Sequence, residues 1–93
     1  MTHQVAQYTR NKGLAYDMLK KLILQLAHNA GDDGFKRSEA FEGLEHALPY
    51  GKSFKAKNDY LGRVLAKIAH EDFIVLKERK WYITAKGELE IRA

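Results

Sequence analysis

From Tyr50 to Lys67 the chain carries Lys52, Lys55, Lys57, Arg63 and Lys67 against the single acid Asp59. The surplus in this one segment matches the formal +4 of all 93 residues, a concentration that leans toward an anionic partner. Arg63 is the candidate for reading a base edge, because a guanidinium pairs bidentately with guanine, while Lys52 and Lys55 suit phosphate. Asn58 has two readings: a hydrogen bond to adenine or a local bond near a helix start. A second basic group, Lys77-Glu78-Arg79-Lys80, holds three bases and one acid, and such a tip can reach a nucleic-acid backbone or a minor groove. With Lys67, the candidate DNA contacts are therefore Lys52, Lys55, Asn58, Arg63, Lys67, Lys77, Arg79 and Lys80.

Other chemistries find little in the sequence. His3, His28, His46 and His70 lack metal-ligand spacing, and no cysteine offers a thiolate. No Walker-type loop, G-x-G-x-x-G or Ser/His/Asp order stands out, and Asp32-Asp33-Gly34 lacks the downstream Glu of a calcium loop. The expectation is a protein without enzymatic activity, metal or cofactor. Glu39, Glu42 and Glu45 form an acidic group that would repel phosphate, leaving either a solvated face or a contact for a protein partner.

These residues need elements to position them. Ala15, Met18, Leu19, Leu22, Ile23, Leu26 and Ala27 recur at steps of three and four, which predicts a helix closed by Asn29, Ala30, Gly31 and the turn at Asp32-Asp33-Gly34. With Leu14 this stripe is wider than one seam, so a homodimer contact through the first helix is an alternative to burial. Ser38 with Glu39 predicts the cap of a second helix whose inner face is Phe41, Leu44 and Leu48, stopped by Pro49. Ser53 predicts the cap of a third, with Phe54, Leu61, Val64, Leu65 and Ile68 inward, Lys55, Asp59, Arg63, Ala66 and Lys67 outward, and an end near His70. Gly62 inside this helix costs about 1 kcal/mol relative to alanine, which implies a close approach there by DNA backbone or another helix. Beyond it, Phe73 to Leu76 and Trp81 to Thr84 flank the charged tetrapeptide as a β-hairpin, with Trp81 mainly core, and one short helical turn follows near Gly87.

The fold class is thus α+β and mainly helical: three helices, then a two-stranded hairpin, the layout of a winged helix. Residues 1–10 read as a flexible tail and 11–93 as a single domain. Hydrophobic residues at 45% and charged residues at 30% give a globular balance. Absence of cysteine suits a reducing cytoplasm, and no run approaches the ~20 apolar residues of a membrane span, so neither export nor membrane insertion is expected.

The segment Phe73-Ile74-Val75-Leu76 to Trp81-Tyr82-Ile83-Thr84-Ala85-Lys86-Gly87 resembles the wing of many bacterial and archaeal winged-helix proteins, whose second strand often reads Trp-x-Ile/Leu-Thr-x-x-Gly. Leu48-Pro49-Tyr50-Gly51-Lys52, followed by Asn58, is similar to the Leu-Pro-Ser-Gly-Lys and downstream Asn of the N-terminal domain of Mrr-type restriction endonucleases. The similarity spans roughly residues 14 to 88, with Tyr50 in place of the family's Ser and Asp59 where an Arg is usual. It implies a module that binds or senses double-stranded DNA, in transcriptional regulation or restriction, without itself implying cleavage.

Overall fold

The computed structural model describes residues 15–49 and 51–92. The expected tail at 1–10, Leu14 of the first-helix stripe and Tyr50 of the pentapeptide lie outside those residues. Helices α1 (Tyr16–Ala30), α2 (Arg37–Leu44) and α3 (Phe54–His70) precede strands β1 (Ile74–Lys77) and β2 (Lys80–Ile83), and α4 (Ala85–Arg92) ends the order. The chain is α+β and mostly helical, with the antiparallel hairpin after the three helices. Among the described residues no helix is long and apolar enough to cross a membrane.

Leu19, Ile23, Leu24 and Ala27 of α1 meet Ala40, Phe41 and Leu44 of α2 and Leu61, Val64, Leu65 and Ile68 of α3 in one core that also takes Phe35, Phe73 and Ile74. Three residues of the expected α1 stripe are exposed instead: Ala15 at the helix cap, Met18 at 48% and Leu22 at 37%. Leu24 takes the inward place on the side where α4 packs, so the buried arc of α1 is rotated from the spacing's simplest reading.

Local chemistry sets the ends. Gly31 closes α1 at φ 56°, its N–H reaching the carbonyls of Ala27 and His28. The second helix begins one residue before Ser38: Lys36 holds the cap position, and its N–H donates to Glu39 Oε1 at 2.7 Å. Helix α2 ends at Leu44, short of Leu48, and Glu45–Ala47 continue as a 3-10 turn. Pro49 holds the preceding Leu48 extended, at ψ 147°. Ser53 caps α3 as expected, its hydroxyl accepting from Ala56 N–H at 3.2 Å. At the far end Asp72 takes φ 70°, while its N–H bonds to Ala69 O and that of Phe73 to Ile68 O. This Schellman closure turns α3 directly into β1.

The hairpin pairs Ile74 with Ile83, Val75 with Tyr82, Leu76 with Trp81 and Lys77 with Lys80. Its loop is only Glu78-Arg79, both left-handed at φ 49° and 70°, as the twist-matched two-residue turn requires. Lys77 and Lys80 therefore belong to the strands. On the other side of β2, Phe35 and Trp81 form an isolated antiparallel bridge with hydrogen bonds of 2.9 and 2.8 Å. Trp81 is partly buried and packs against the core.

The short turn expected near Gly87 is a full helix. Thr84 caps it, its Oγ1 accepting from Gly87 N–H at 3.0 Å and donating to Asp72 O at 2.6 Å. A Cβ on Gly87 would collide with the carbonyl of Phe73, which gives the Thr-x-x-Gly spacing a physical reason. Gly87→Ala is expected to lower the thermal midpoint by several degrees. Gly43→Ala, at a helical site with nothing within 4 Å of the added methyl, should raise stability by up to about 1 kcal/mol; calorimetry on the pair checks both signs.

Candidate nucleic-acid interface

Helix α3 turns Leu61, Val64, Leu65 and Ile68 into the core and leaves Lys55, Asp59, Arg63, Ala66 and Lys67 exposed, as its periodicity demands. Lys52 is exposed in the turn just before it, and Asn58 is half-buried toward α2. Lys55 Nζ lies 3.1 Å from Asp59 Oδ2, an i,i+4 pair whose lysine is 88% exposed. Arg63 extends past the Tyr60 ring, 5.8 Å from its centroid.

The close approach implied by Gly62 comes from α2. A Cβ there would stand 2.8 Å from Nη1 of Arg37, so the guanidinium of Arg37 lies across α3 where the helix has no side chain. Arg37 was not among the sequence candidates. Gly62 was its one trace, and the partner could not be assigned without the fold.

The Phe35 and Trp81 bridge gives Arg37 a second neighbour. In an antiparallel pair, residues after one member and before the other leave at the same end. Arg37 follows Phe35 by two positions and Arg79 precedes Trp81 by two, so the start of α2 and the hairpin loop lie at one end of this pairing. Lys80 is held back, its Nζ donating to the carbonyl of Asp33 at 3.2 Å, and Lys77 Nζ sits 5.9 Å from the Tyr82 ring.

Lys67 belongs to a different neighbourhood. Its Nζ is 4.2 Å from the Tyr16 ring centroid, and the Tyr16 hydroxyl donates to Glu71 Oε1 at 2.8 Å. Lys20 Nζ approaches Glu71 at 3.9 Å and Glu90 at 3.5 Å. This cluster ties α1 to the end of α3 and to α4, drawing Lys67 toward α1 and away from Lys55 and Arg63.

Several acids are engaged too. Glu39 accepts at its own helix start, Glu45 reaches Lys57 at 4.0 Å, and Glu88 contacts His28 at 2.7 Å. Two of the three carboxylates in the expected partner group, Glu39 and Glu45, therefore have local work. In contrast, Arg37, Arg63, Arg79 and Arg92 take part in no ion pair among the described residues. No three His, Asp or Glu side chains among those residues converge where they could hold a metal ion. Compared with known proteins, the chain matches no family model, no curated protein and no solved structure.

Phe54 departs from the expected stripe. It is 64% exposed, with its ring centroid 4.7 Å from that of Phe41. At the first position of α3 it overhangs the edge of the core, beyond the turn where the stripe closes.

Burial first, and then the bond to Glu71, push the Tyr16 hydroxyl well above the ordinary tyrosine value of 10.0. The folded chain holds this proton more tightly than the unfolded chain, so the associated stability is complete below pH 10 and is lost as pH rises through the folded value. Alkaline melts of Tyr16→Phe should fall less steeply above pH 10 than those of the parent. Parallel curves would remove the proton on Tyr16 from the account.

Proposed function

We propose that this chain is a winged-helix DNA-binding module, in which α3 enters the major groove and the β1–β2 loop reaches the adjacent backbone or minor groove. The order of helices and hairpin supports the architecture, with the Phe35 bridge adding a minimal third strand before α2. The observation that carries the functional reading is the state of the arginines. Arg37 and Arg63 flank the exposed side of α3, Arg79 tips the hairpin, and none of them is neutralised by a carboxylate among the described residues.

Arginine presents a rigid fork of donors suited to phosphate and to guanine O6 and N7, so its availability counts for more than net charge. Arg37 and Arg79, at one end of the bridge, are assigned to phosphate. Arg63, on the open side of α3, is assigned to a base edge. Lys52 and Lys55 add backbone contacts, whereas Lys67 and Lys80 are occupied within the fold.

Fluorescence anisotropy with a labelled duplex across a salt series tests this division. Each lost phosphate contact lowers the log–log salt slope by roughly 0.9, so Arg37→Gln with Arg79→Gln should flatten it by about 2, and Lys67→Gln should leave it unchanged. Unaltered affinity and slope in the double variant would take both arginines off the DNA face. A separate selection from random duplexes should show that Arg63→Ala narrows the gap between preferred and scrambled sequences by ~1–3 kcal/mol. Equal weakening on both would make Arg63 a phosphate contact.

A further inference from the structure

Between the beginnings of α2 and α3 lies a groove of about 380 Å³ lined by Arg37, Ser38, Phe41, Glu42, Phe54 and Asn58. Its floor is aromatic. Phe41 is core, only 7% exposed, and Phe54 is layered onto it from outside at an interplanar angle of 53°, leaving most of the Phe54 ring open. Exposing an aromatic ring at a helix start forgoes the burial that normally holds such residues in place.

The polar groups around that ring are mixed in kind. The Asn58 amide offers a donor and an acceptor, Glu42 offers an acceptor, Ser38 offers a hydroxyl, and Arg37 stands at the rim over Gly62. An aliphatic ligand would leave these groups unused, and a lone phosphate would leave the ring unused. A heterocyclic base uses both, since every base has a π face for stacking and an edge of donors and acceptors. The strand carrying it would bring its phosphate within the charge of Arg37. A paired base is closed within its stack, whereas an unpaired one swings out at lower cost.

We propose that this groove receives one unpaired base of a DNA strand, stacked on Phe54 with its edge toward Asn58 and Glu42 and its flanking phosphate against Arg37. The inference rests on the DNA-binding reading and narrows it to duplexes with a locally unpaired nucleotide.

The test compares anisotropy titrations on two labelled duplexes, one fully paired and one with a single-nucleotide bulge, otherwise identical. The parent should bind the bulged duplex about 5- to 150-fold more tightly, the span that base–aromatic stacking supplies. Phe54→Leu, which keeps an apolar side chain at an exposed position, should melt as the parent does and bind the two duplexes alike, and Phe54→Trp should restore the preference. Equal parental affinity for both duplexes overturns the groove assignment while leaving DNA binding intact. A preference that survives in Phe54→Leu also overturns it. Absence of binding to either duplex removes the DNA reading itself, and the groove assignment with it. A free deoxynucleoside monophosphate that binds as tightly as the bulged duplex overturns the assignment to a strand.

Discussion

Two backbone hydrogen bonds between Phe35 and Trp81 join the helical half of the chain to its hairpin. Phe35 is 2% exposed, so this pairing is driven into the core by an aromatic side chain while its N–H and carbonyl are satisfied by β2. Lys36 and Arg37 follow at once, which makes the pairing the origin of α2. On the other side, β2 is bonded along its length to β1, which leaves α3 through the Schellman turn at Asp72. Strand β2 is consequently held from both edges. The positions of Arg37 over α3 and Arg79 at the loop follow from one bridge.

Around that constraint the charges sort by chemistry. Several lysines with their flexible stems are drawn into intramolecular contacts: Lys67 on Tyr16, Lys20 and Lys86 over the Phe73 ring at 4.2 and 4.8 Å, and Lys80 on a carbonyl. The arginines stay out of ion pairs among the described residues, Arg63 touching only the Tyr60 ring. The left-handed backbone at Glu78 and Arg79 points the same way, since neither residue is the Gly or Asn such a loop favours. Glu78 and Arg79 take this backbone at the hairpin tip, where both side chains are exposed.

Much of this architecture is legible in the residue order because it is local. Gly31, Ser53 and the β-branched runs around Lys77 to Lys80 mark a helix end, a helix start and a hairpin through interactions a few residues long. What escaped depends on distant partners. The bridge of Phe35 to Trp81, forty-odd positions away, precedes the Lys36–Glu39 cap that starts α2, so Ser38 misleads as a cap. Met18 and Leu22 satisfy the period of a buried stripe, yet α4 packs on the flank of α1 beside Leu24 and leaves them outside. Within the candidate site, Lys55, Asn58 and Arg63 could be placed on α3 from spacing alone. The removal of Lys67 and Lys80 to other contacts, the entry of Arg37 and the exposure of Phe54 are tertiary facts with no local signature beyond Gly62.

The central claim is that one surface, built from the start of α2, the outward side of α3 and the hairpin loop, meets DNA. Amide shift mapping during titration with a short duplex addresses it directly, since each backbone N–H reports its own surroundings. The account predicts perturbations concentrated at Arg37 and Ser38, from Lys52 to Arg63, and at Glu78 and Arg79, with little change around Met18, Leu22 and Lys67. Perturbations centred on the exposed side of α1, or none at all under low salt, would contradict it.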